Sequence, residues 1–256
     1  MTEKYNPETY WSQIATRITN REGRNIIAGD DEPYYRYKRS KFLKLLSTVD
    51  FNEKNILELG AGPGGNIEYI LSNFKPKSIT DADISSKMLE IASKNVKSNI
   101  ASFVKIDGEH LPFEDKKFDV SFTATVLQHN TDERMLKQII SELCRVSNEK
   151  IVIFEKIEPQ VKGTDLCLGR PVNYYADIFK KHGFKLIETE FINLKISYYV
   201  SGAARKLLNA KSREEGEPLS KISILAQKIT LPLTTILDNI FASRRGIGKL
   251  VFVRKG

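Results

Sequence analysis

The chain has 256 residues, of which 41% are hydrophobic and 28% charged, with a formal net charge of +8. These proportions exclude a disordered chain and predict one large domain, or one domain with a sizeable insertion, around a proper core. Two cysteines exclude a disulfide framework, and the absence of an apolar segment at the start argues against secretion. A cytoplasmic protein is therefore expected. The positive charge predicts attraction to anions without identifying them.

Residues 1–50 are predicted to form an N-terminal helical cap. Apolar residues recur at helical spacing through 7–28, so one helix is expected there. A break at 29–33 precedes a second amphipathic helix that opens on the sequence YYRYKR. Aromatic residues mixed with basic ones suit either a lid over an active site or a contact with nucleic acid. Tyr34, Tyr35 and Arg36 are therefore candidate substrate contacts.

Residues 51–192 alternate strand and helix patterns, which predicts an α/β fold: a doubly wound, mostly parallel sheet with helices on both faces. Six strands are expected at 54–59, 77–83, 101–106, 118–124, 149–155 and 184–192. Helices are expected at 64–74, 85–97, 132–146 and 172–182. The terminal segment 247–256 contains a seventh strand, at 249–253, which is expected to pair antiparallel.

Residues 193–246 are too long for a plain connection and are predicted to form a helical insertion on the substrate side. Residues 198–208 have a helical pattern, and 212–217 read as a polar loop. Apolar residues then recur every three or four positions from 222 to 240, but polar residues and a proline interrupt them, so no bilayer span is expected. The segment 219–245 either covers the sheet and the substrate pocket, or rests on an anionic membrane through its basic flanks at 221, 244 and 245.

The stretch NILELGAGPGG at 55–65 reads as a buried strand, a glycine-rich turn and the start of a helix. Glycines allow positive φ and let a ligand lie flat against the backbone, and the helix start offers free N–H groups. Gly60, Gly62 and Gly65 match the G-x-G-x-x-G pattern of dinucleotide binding. Glu58, however, suits a ligand amine better than a pyrophosphate, because a buried acid needs a partner. Asp83 lies at the tip of the second strand, where an acid can meet ribose hydroxyls.

Four segments in order, ELGAGPGG, TDADISSKMLEIA, IDGEHLPF and FDVSFTATVLQH, resemble the motifs of class I S-adenosylmethionine-dependent methyltransferases, in particular the small-molecule branch called type 11. The resemblance covers residues 54–192, and the terminal KLVFV is similar to the antiparallel strand of that fold. Asp81 and Gly108 stand where the family usually has glycine and alanine.

The resemblance implies S-adenosylmethionine as cofactor and S-adenosylhomocysteine as product. It places Glu58 and the glycine turn at the methionine part, Asp83 at the ribose and Asp107 at the adenine. The implied cofactor residues are Glu58, Gly60, Ala61, Gly62, Gly64, Asp83, Ile84, Asp107, Gly108 and Thr125. No metal is implied.

The expected reaction is transfer of a methyl group to an oxygen of a small molecule or glycan. RNA and a lipid or lipid-linked glycan at a membrane are the alternative acceptors, and a cofactor-binding protein without catalysis or a nicotinamide oxidoreductase are the other classes. His129 follows the fourth strand and is predicted to act as catalytic base or to position the acceptor. Glu155 and Arg170 are further candidate substrate contacts, because ligands bind at the carboxyl edge of such sheets. The oligomeric state is left open.

Overall fold

The computed structural model describes residues 5–21, 25–29, 32–241, 243 and 246–255. The strands are β1 (Asn55–Leu59), β2 (Ser78–Asp83), β3 (Ala101–Lys105), β4 (Phe118–Ala124), β5 (Ser147–Ile157), β6 (Lys162–Thr164), β7 (Cys167–Gly169), β8 (Phe184–Phe191) and β9 (Gly246–Arg254). The helices are α1 (Pro7–Thr19), α2 (Pro33–Leu46), α3 (Gly65–Asn73), α4 (Ser86–Asn95), α5 (Glu133–Val146), α6 (Val172–Lys181), α7 (Lys195–Leu208) and α8 (Lys221–Ile240).

Seven of these strands form one sheet in the order β3-β2-β1-β4-β5-β9-β8. The pairs β3-β2, β2-β1, β1-β4 and β4-β5 are parallel, and β9 runs antiparallel to both β5 and β8. The strand order reverses beside β1, so the crevice for a ligand is expected at the carboxyl ends of β1 and β4. The predicted fold class, with a single antiparallel strand near the C-terminus, is confirmed.

Helices cover both faces of the sheet because neighbouring strand residues point to opposite sides. In β1, Leu57 packs in the cluster that includes residues of α5 and α6, whereas Ile56 packs in the cluster that includes residues of α2 and α3. A third, small cluster joins α1 to α4 through Ile14, Ile18 and Met88. This packing holds α1 and α2 beside the carboxyl edge of the sheet.

The predicted helix over 7–28 is too long. Helix α1 ends at Thr19, where the N–H of Asn20 bonds back to the last turn of the helix. Arg21 then donates hydrogen bonds to the carbonyl groups of Ile27 and Gly29 and so holds the bent, non-helical segment 25–29 in place. Residues 22–24 lie outside the described residues, as do 244 and 245, the predicted basic flank of the insertion.

Two features were not predicted. Strands β6 and β7 form a small antiparallel hairpin between β5 and α6. Helix α8 also continues without a break through Pro232, which interrupts the apolar run but not the helix. Helices α7 and α8 pack together as a pair, hereafter the α7–α8 hairpin, and α8 also contacts α2. None of the described helices is long and apolar enough to cross a membrane.

Candidate active site

A cavity of about 260 Å³ lies at the carboxyl ends of β1, β2 and β4. Helices α1 and α2 and the segment 25–29 form the opposite wall, and α5 closes one end. Most of the wall is apolar, including Trp11, Ile26, Phe42, Ile192 and Ile247. The cavity lies where the strand order reverses, which is where doubly wound sheets bind their ligands.

The glycine-rich turn forms the floor of the cavity. Gly60 and Gly62 have φ values of 73° and 56°, which other residues rarely adopt. The N–H of Ala61 donates to Asp81 at 3.1 Å and the N–H of Gly62 donates to Asp83 at 3.2 Å. Two acids from β2 therefore hold the turn in place. Asp81, which replaces the usual glycine, is a structural support for this turn.

Glu58 lies directly behind the turn and is fully buried. Its Oε1 accepts a hydrogen bond from Asn66 at 2.7 Å, whereas Oε2 has no hydrogen-bond partner among the described residues. Burial raises the pKa of Glu58 to about 8, although Asn66 and the nearby Arg39 oppose the shift. A buried carboxyl oxygen without a partner fits a ligand ammonium, which would donate to it.

Asn66 and Arg39 belong to this part of the site but were not predicted. Both line the cavity, and Arg39 donates to the side-chain oxygen of Asn66 at 3.1 Å. The chain of contacts runs from α2 through Asn66 to Glu58. The guanidinium of Arg39 therefore lies close to the place where a ligand ammonium would meet Glu58. A ligand carboxylate would bind to this guanidinium.

Asp83 lines the cavity at the end of β2 and is buried. Its carboxylate accepts from the N–H groups of Gly62 and Ser85, at 3.2 and 2.8 Å. Burial raises the pKa of Asp83, and burial together with the charge of Asp83 raises the pKa of Asp81 well above its usual range. With Glu58, these carboxyls make the floor of the cavity favourable for a ligand that carries positive charge.

Asp107 is predicted to contact the adenine, but its side chain does not line the cavity. This carboxylate is exposed and accepts from the N–H groups of Glu109 and His110, both at 2.7 Å, and from the ring of His110 at 2.9 Å. The His110 ring and these N–H groups lower the pKa of Asp107 to about 2. Gly108 and Ile84 line this edge of the cavity instead.

The turn after β4 carries His129 and Thr125 into the cavity wall. Thr125 has a positive φ of 59°, and its N–H is fixed by the carbonyl of Phe154 at 2.8 Å. The His129 ring meets the edge of Trp11, with 5.0 Å between the ring centroids. Burial lowers the pKa of His129, and the charge of Lys38 adds to that effect, so the ring is neutral at pH 7.

Hydrogen bonds decide which nitrogen of His129 carries the proton. Nδ1 lies 2.8 Å from the carbonyl of Leu166, which only accepts, so Nδ1 is protonated. The Gln128 oxygen accepts from the N–H of Lys156, so its amide nitrogen faces Nε2 of His129, at 3.1 Å, as a donor. The Nε2 lone pair is thus already used. His129 can take a proton from an acceptor only after Gln128 moves away.

Glu155 and Arg170 do not reach the cavity, which corrects both predictions. Glu155 is fully buried and accepts from the N–H groups of residues 126, 127 and 128 and from Thr123, at 2.9 to 3.1 Å. Arg170 is also fully buried and donates to the carbonyls of Leu127 and Asn130, at 3.1 and 2.9 Å. Both side chains fix the turn that presents His129. Arg170 also pairs with Glu133 at 3.2 Å, so the charged ends of both side chains bond to other parts of the protein and do not line the cavity.

Glu155→Gln is expected to lower the free energy of unfolding by about 1–3 kcal/mol. The NH2 group of glutamine would replace one carboxylate oxygen, so a backbone N–H that now bonds to this oxygen would lose its acceptor. Urea unfolding followed by circular dichroism measures the change. Glu158→Gln is the matched control, since the Glu158 side chain makes no hydrogen bond within the described ranges, and we expect it to leave stability unchanged. Equal stability of wild type and Glu155→Gln would contradict this role.

One face of α2 lines the cavity. Tyr35, Lys38, Arg39 and Phe42 stand at intervals of three and four residues, so they share a face. Tyr34 and Arg36 lie on other faces: Tyr34 is buried against the α7–α8 hairpin, and Arg36 is exposed. The prediction of three consecutive contacts is therefore wrong except for Tyr35. Counting turns of the helix from Tyr35 would have found Lys38 and Arg39.

Lys38 is a cationic residue of the cavity wall near His129. Its ammonium lies over the ring of Tyr35, 5.2 Å from the centroid, and forms no ion pair with any described residue. Burial and the charge of Arg205 lower the pKa of Lys38, whereas the charge of Glu215 opposes the shift. An ammonium in an apolar cavity without a carboxylate partner is costly unless a ligand supplies an anion.

The cavity brings together nine of the predicted residues. These are Tyr35, Gly60, Ala61, Gly62, Asp83, Ile84, Gly108, Thr125 and His129. Glu58 contacts the cavity through Asn66, and Gly64 caps α3, with a positive φ of 86°, against α4. The remaining predicted residues, Tyr34, Arg36, Asp107, Glu155 and Arg170, lie outside the wall.

Comparisons with known proteins show which class of protein this chain resembles. Residues 56–150 match the family described as "Methyltransferase domain". The chain is 32% identical over 126 residues to a demethylmenaquinone methyltransferase of Thermotoga maritima, covering 48% of this chain and 52% of that protein. It is 34% identical over 96 residues to a fatty-acid O-methyltransferase of Mycolicibacterium smegmatis, covering 37% and 34% of the two chains. The chain thus spans about half or less of the length of these relatives.

The fold is similar to that of a phosphoethanolamine N-methyltransferase 2 of Haemonchus contortus, solved in complex with S-adenosyl-L-methionine. The TM-score is 0.59 at 18% identity, over 86% of this chain and 53% of that one. Residues 56–150 thus match a methyltransferase-domain family, and the predicted resemblance to class I S-adenosylmethionine-dependent methyltransferases is confirmed.

Proposed function

We propose that this chain binds S-adenosylmethionine and transfers its methyl group to an oxygen of a small acceptor with an apolar body and an acidic end. A carboxylic acid or an acidic hydroxyl fits this description. The observation that carries the proposal is Lys38, whose ammonium faces an otherwise apolar part of the cavity next to His129. A carboxylate or phenolate would supply the missing counter-charge.

The described residues fit the proposed cofactor. Glu58 and Asn66 would hold its ammonium, because Glu58 has a buried oxygen left over, and Arg39 would hold its carboxylate. Asp83 would accept from ribose hydroxyls, and a flat ring would lie at the edge of the cavity that Ile84 and Gly108 line. When bound, S-adenosylmethionine supplies a methyl group that is already activated for displacement.

The remaining catalytic requirement is geometry. Holding an acceptor oxygen in line with an activated methyl group can supply most of the rate acceleration. An acceptor held as an anion by Lys38 needs no base, which agrees with the engaged Nε2 of His129. We therefore assign to His129 the role of positioning the acceptor, one of the two roles that its place after β4 predicts.

The wall of the cavity favours an apolar acceptor over a glycan, because Phe42, Ile192 and Ile247 offer no hydrogen bonds to sugar hydroxyls and Trp11 offers only its indole N–H. The same lining supports a lipid as a second candidate acceptor. RNA receives less support, since Tyr34 of the YYRYKR sequence is buried and cannot stack on an exposed base.

The proposal is tested with methyl-labelled S-adenosylmethionine and pairs of acceptors of equal chain length, one ending in a carboxyl and one in an alcohol. We expect transfer to the acids and little to the alcohols. Lys38→Gln should lower kcat/KM for the acids by about tenfold or more, the scale of a lost charge-assisted hydrogen bond. Lys38→Arg should retain more activity because it keeps the charge.

Lys44→Gln is the control variant, since Lys44 lies exposed on the same helix and does not line the cavity. Calorimetric titration with S-adenosylhomocysteine should give equal affinity for all four proteins. Equal transfer to acids and alcohols, or full activity of Lys38→Gln, would refute the acidic acceptor. Absence of S-adenosylhomocysteine binding by the folded wild type would refute the cofactor.

A further inference from the structure

The α7–α8 hairpin has its polar residues inside and its apolar residues outside. The buried residues of α8 are Ser223, Gln227, Thr234 and Asp238, and those of α7 are Ser197 and Ser201. A helix on the surface of a water-soluble domain normally turns its apolar face to the core. Both helices of this pair do the opposite.

Hydrogen bonds fix this orientation. Ser197 bonds to Thr234 between the two helices at 3.0 Å, and Asp238 accepts from the N–H groups of Ile196 and Ser197 at 2.7 and 3.2 Å. Gln227 bonds to Glu32 and to the N–H of Tyr34, at 2.8 and 3.2 Å, and so joins α8 to the start of α2. Rotating α8 to bury its apolar face would break all of these contacts.

The outer face of α8 is an apolar stripe. Ile222, Leu225, Ile229, Leu233, Ile236 and Ile240 follow one another at intervals of three or four residues, and each is between 57% and 69% exposed. Tyr198, Tyr199 and Leu207 of α7 are exposed to at least the same degree. Such a continuous apolar surface marks a site of contact with a partner or a membrane.

The charges on the hairpin favour a membrane with anionic lipids. Lys195, Lys206, Lys221 and Lys228 are exposed on the two helices, whereas Asp238, their single acidic residue, is buried. Lys221 and Lys228 are seven residues apart and therefore lie along the same edge of the stripe. An apolar face with basic residues at its edge suits the interface of an anionic bilayer.

Two further observations agree with a bilayer. Helices in lipid pack through small and hydroxyl-bearing residues, and the contact between α7 and α8 contains Ser197 and Thr234. Exposed tyrosines, such as Tyr198 and Tyr199, are typical of the boundary between lipid and water. A dimer formed through this face is disfavoured, because the exposed charged residues of α7 and α8 are all positive and would repel those of the second copy.

We propose that the α7–α8 hairpin lies in the interfacial region of an anionic membrane, with the stripe of α8 in the lipid and the lysines at the headgroups. The hairpin is fixed to the wall of the cavity, because Arg205 of α7 stacks on Tyr35 at 5.1 Å. Membrane binding thus brings the cavity to the bilayer surface. The proposal does not depend on which acceptor is methylated.

Co-sedimentation with vesicles tests the proposal. Wild-type protein should sediment with vesicles of phosphatidylcholine and phosphatidylglycerol in equal amounts and much less with phosphatidylcholine alone. Ile229→Glu combined with Leu233→Glu should weaken binding by about tenfold or more, since both side chains leave the lipid. Lys221→Gln combined with Lys228→Gln should weaken binding to the anionic vesicles by about fivefold or more, and added salt should reduce the difference.

Ile187→Glu is the matched control, because Ile187 on β8 is 55% exposed but lies outside the hairpin, and its binding should equal that of wild type. Titration with S-adenosylhomocysteine checks that each variant keeps its fold. The proposal is overturned if wild type does not bind anionic vesicles or if the stripe variant binds as wild type does. It is also overturned if light scattering shows a dimer that the stripe variant dissociates, since a second copy would then cover the stripe.

Discussion

Gly60→Val is expected to abolish measurable binding of S-adenosylhomocysteine and to lower the free energy of unfolding by about 2–4 kcal/mol. The first reason is conformational, because Gly60 has a φ of 73°, where a branched side chain is strongly disfavoured. The second is steric, because an added Cβ would lie 2.6 Å from a methyl carbon of Val126. Val126 cannot retreat easily, since Glu155 holds its N–H at 3.1 Å.

Calorimetry and urea unfolding measure the two effects. Gly202→Ala is the matched control, because Gly202 lies inside α7 with no heavy atom within 4 Å of the added Cβ. That substitution should leave binding unchanged and should raise stability by up to about 1 kcal/mol through helix propensity. Wild-type affinity in Gly60→Val would mean that the glycine turn does not form the floor of the cofactor site.

The fold could be predicted because its signals are local and periodic. Apolar runs, separated by glycine-containing turns, predict the strands β1 to β5 and the helices between them. The alternation of strands and helices predicts a parallel sheet. The end of α1 could not be predicted in this way. It depends on Asn20 closing the last turn and on Arg21 holding the segment 25–29, although apolar residues continue at helical spacing to Ile26.

More of the residues predicted to bind the cofactor line the cavity than of those predicted to contact the substrate, among which only Tyr35 does so. The glycine turn and Asp83 are fixed by short-range geometry within a strand, turn and helix unit, so their positions follow from sequence. Glu155 and Arg170 showed why a charged residue near the right edge is not enough. Each bonds to backbone groups of a turn distant in sequence, and only the tertiary structure reveals those partners.

Lys38 illustrates the opposite error. Lys38 matters because its ammonium forms no ion pair within the described residues and because it shares a cavity-lining face of α2 with Tyr35. The presence of a lysine in the sequence predicts neither feature. The α7–α8 hairpin likewise requires three dimensions. Its apolar periodicity predicts a helix, but the sequence does not state which face is turned outwards, and hydrogen bonds of Asp238 and Gln227 decide that question.

The affinity for S-adenosylhomocysteine is expected to rise with pH by up to about tenfold per unit from about pH 6 to pH 8, and then to level off. In the free protein, burial raises the pKa of Glu58 to about 8, so below that pH its carboxyl is protonated. A ligand ammonium stabilises the carboxylate and lowers this pKa, so binding releases a proton. Proton release becomes more favourable as the pH rises, which gives the sign of the effect.

Titrations in two buffers of different ionisation enthalpy should count about one proton released at pH 7 by wild type and none by Glu58→Gln, whose affinity should not vary with pH. Asp107→Asn is the control, because the pKa of Asp107 is about 2 and its charge does not change in this range. A pH-independent wild-type affinity would remove Glu58 from the ammonium site. A slope that persists in Glu58→Gln would assign the proton to the pair Asp81 and Asp83, whose pKa values burial also raises.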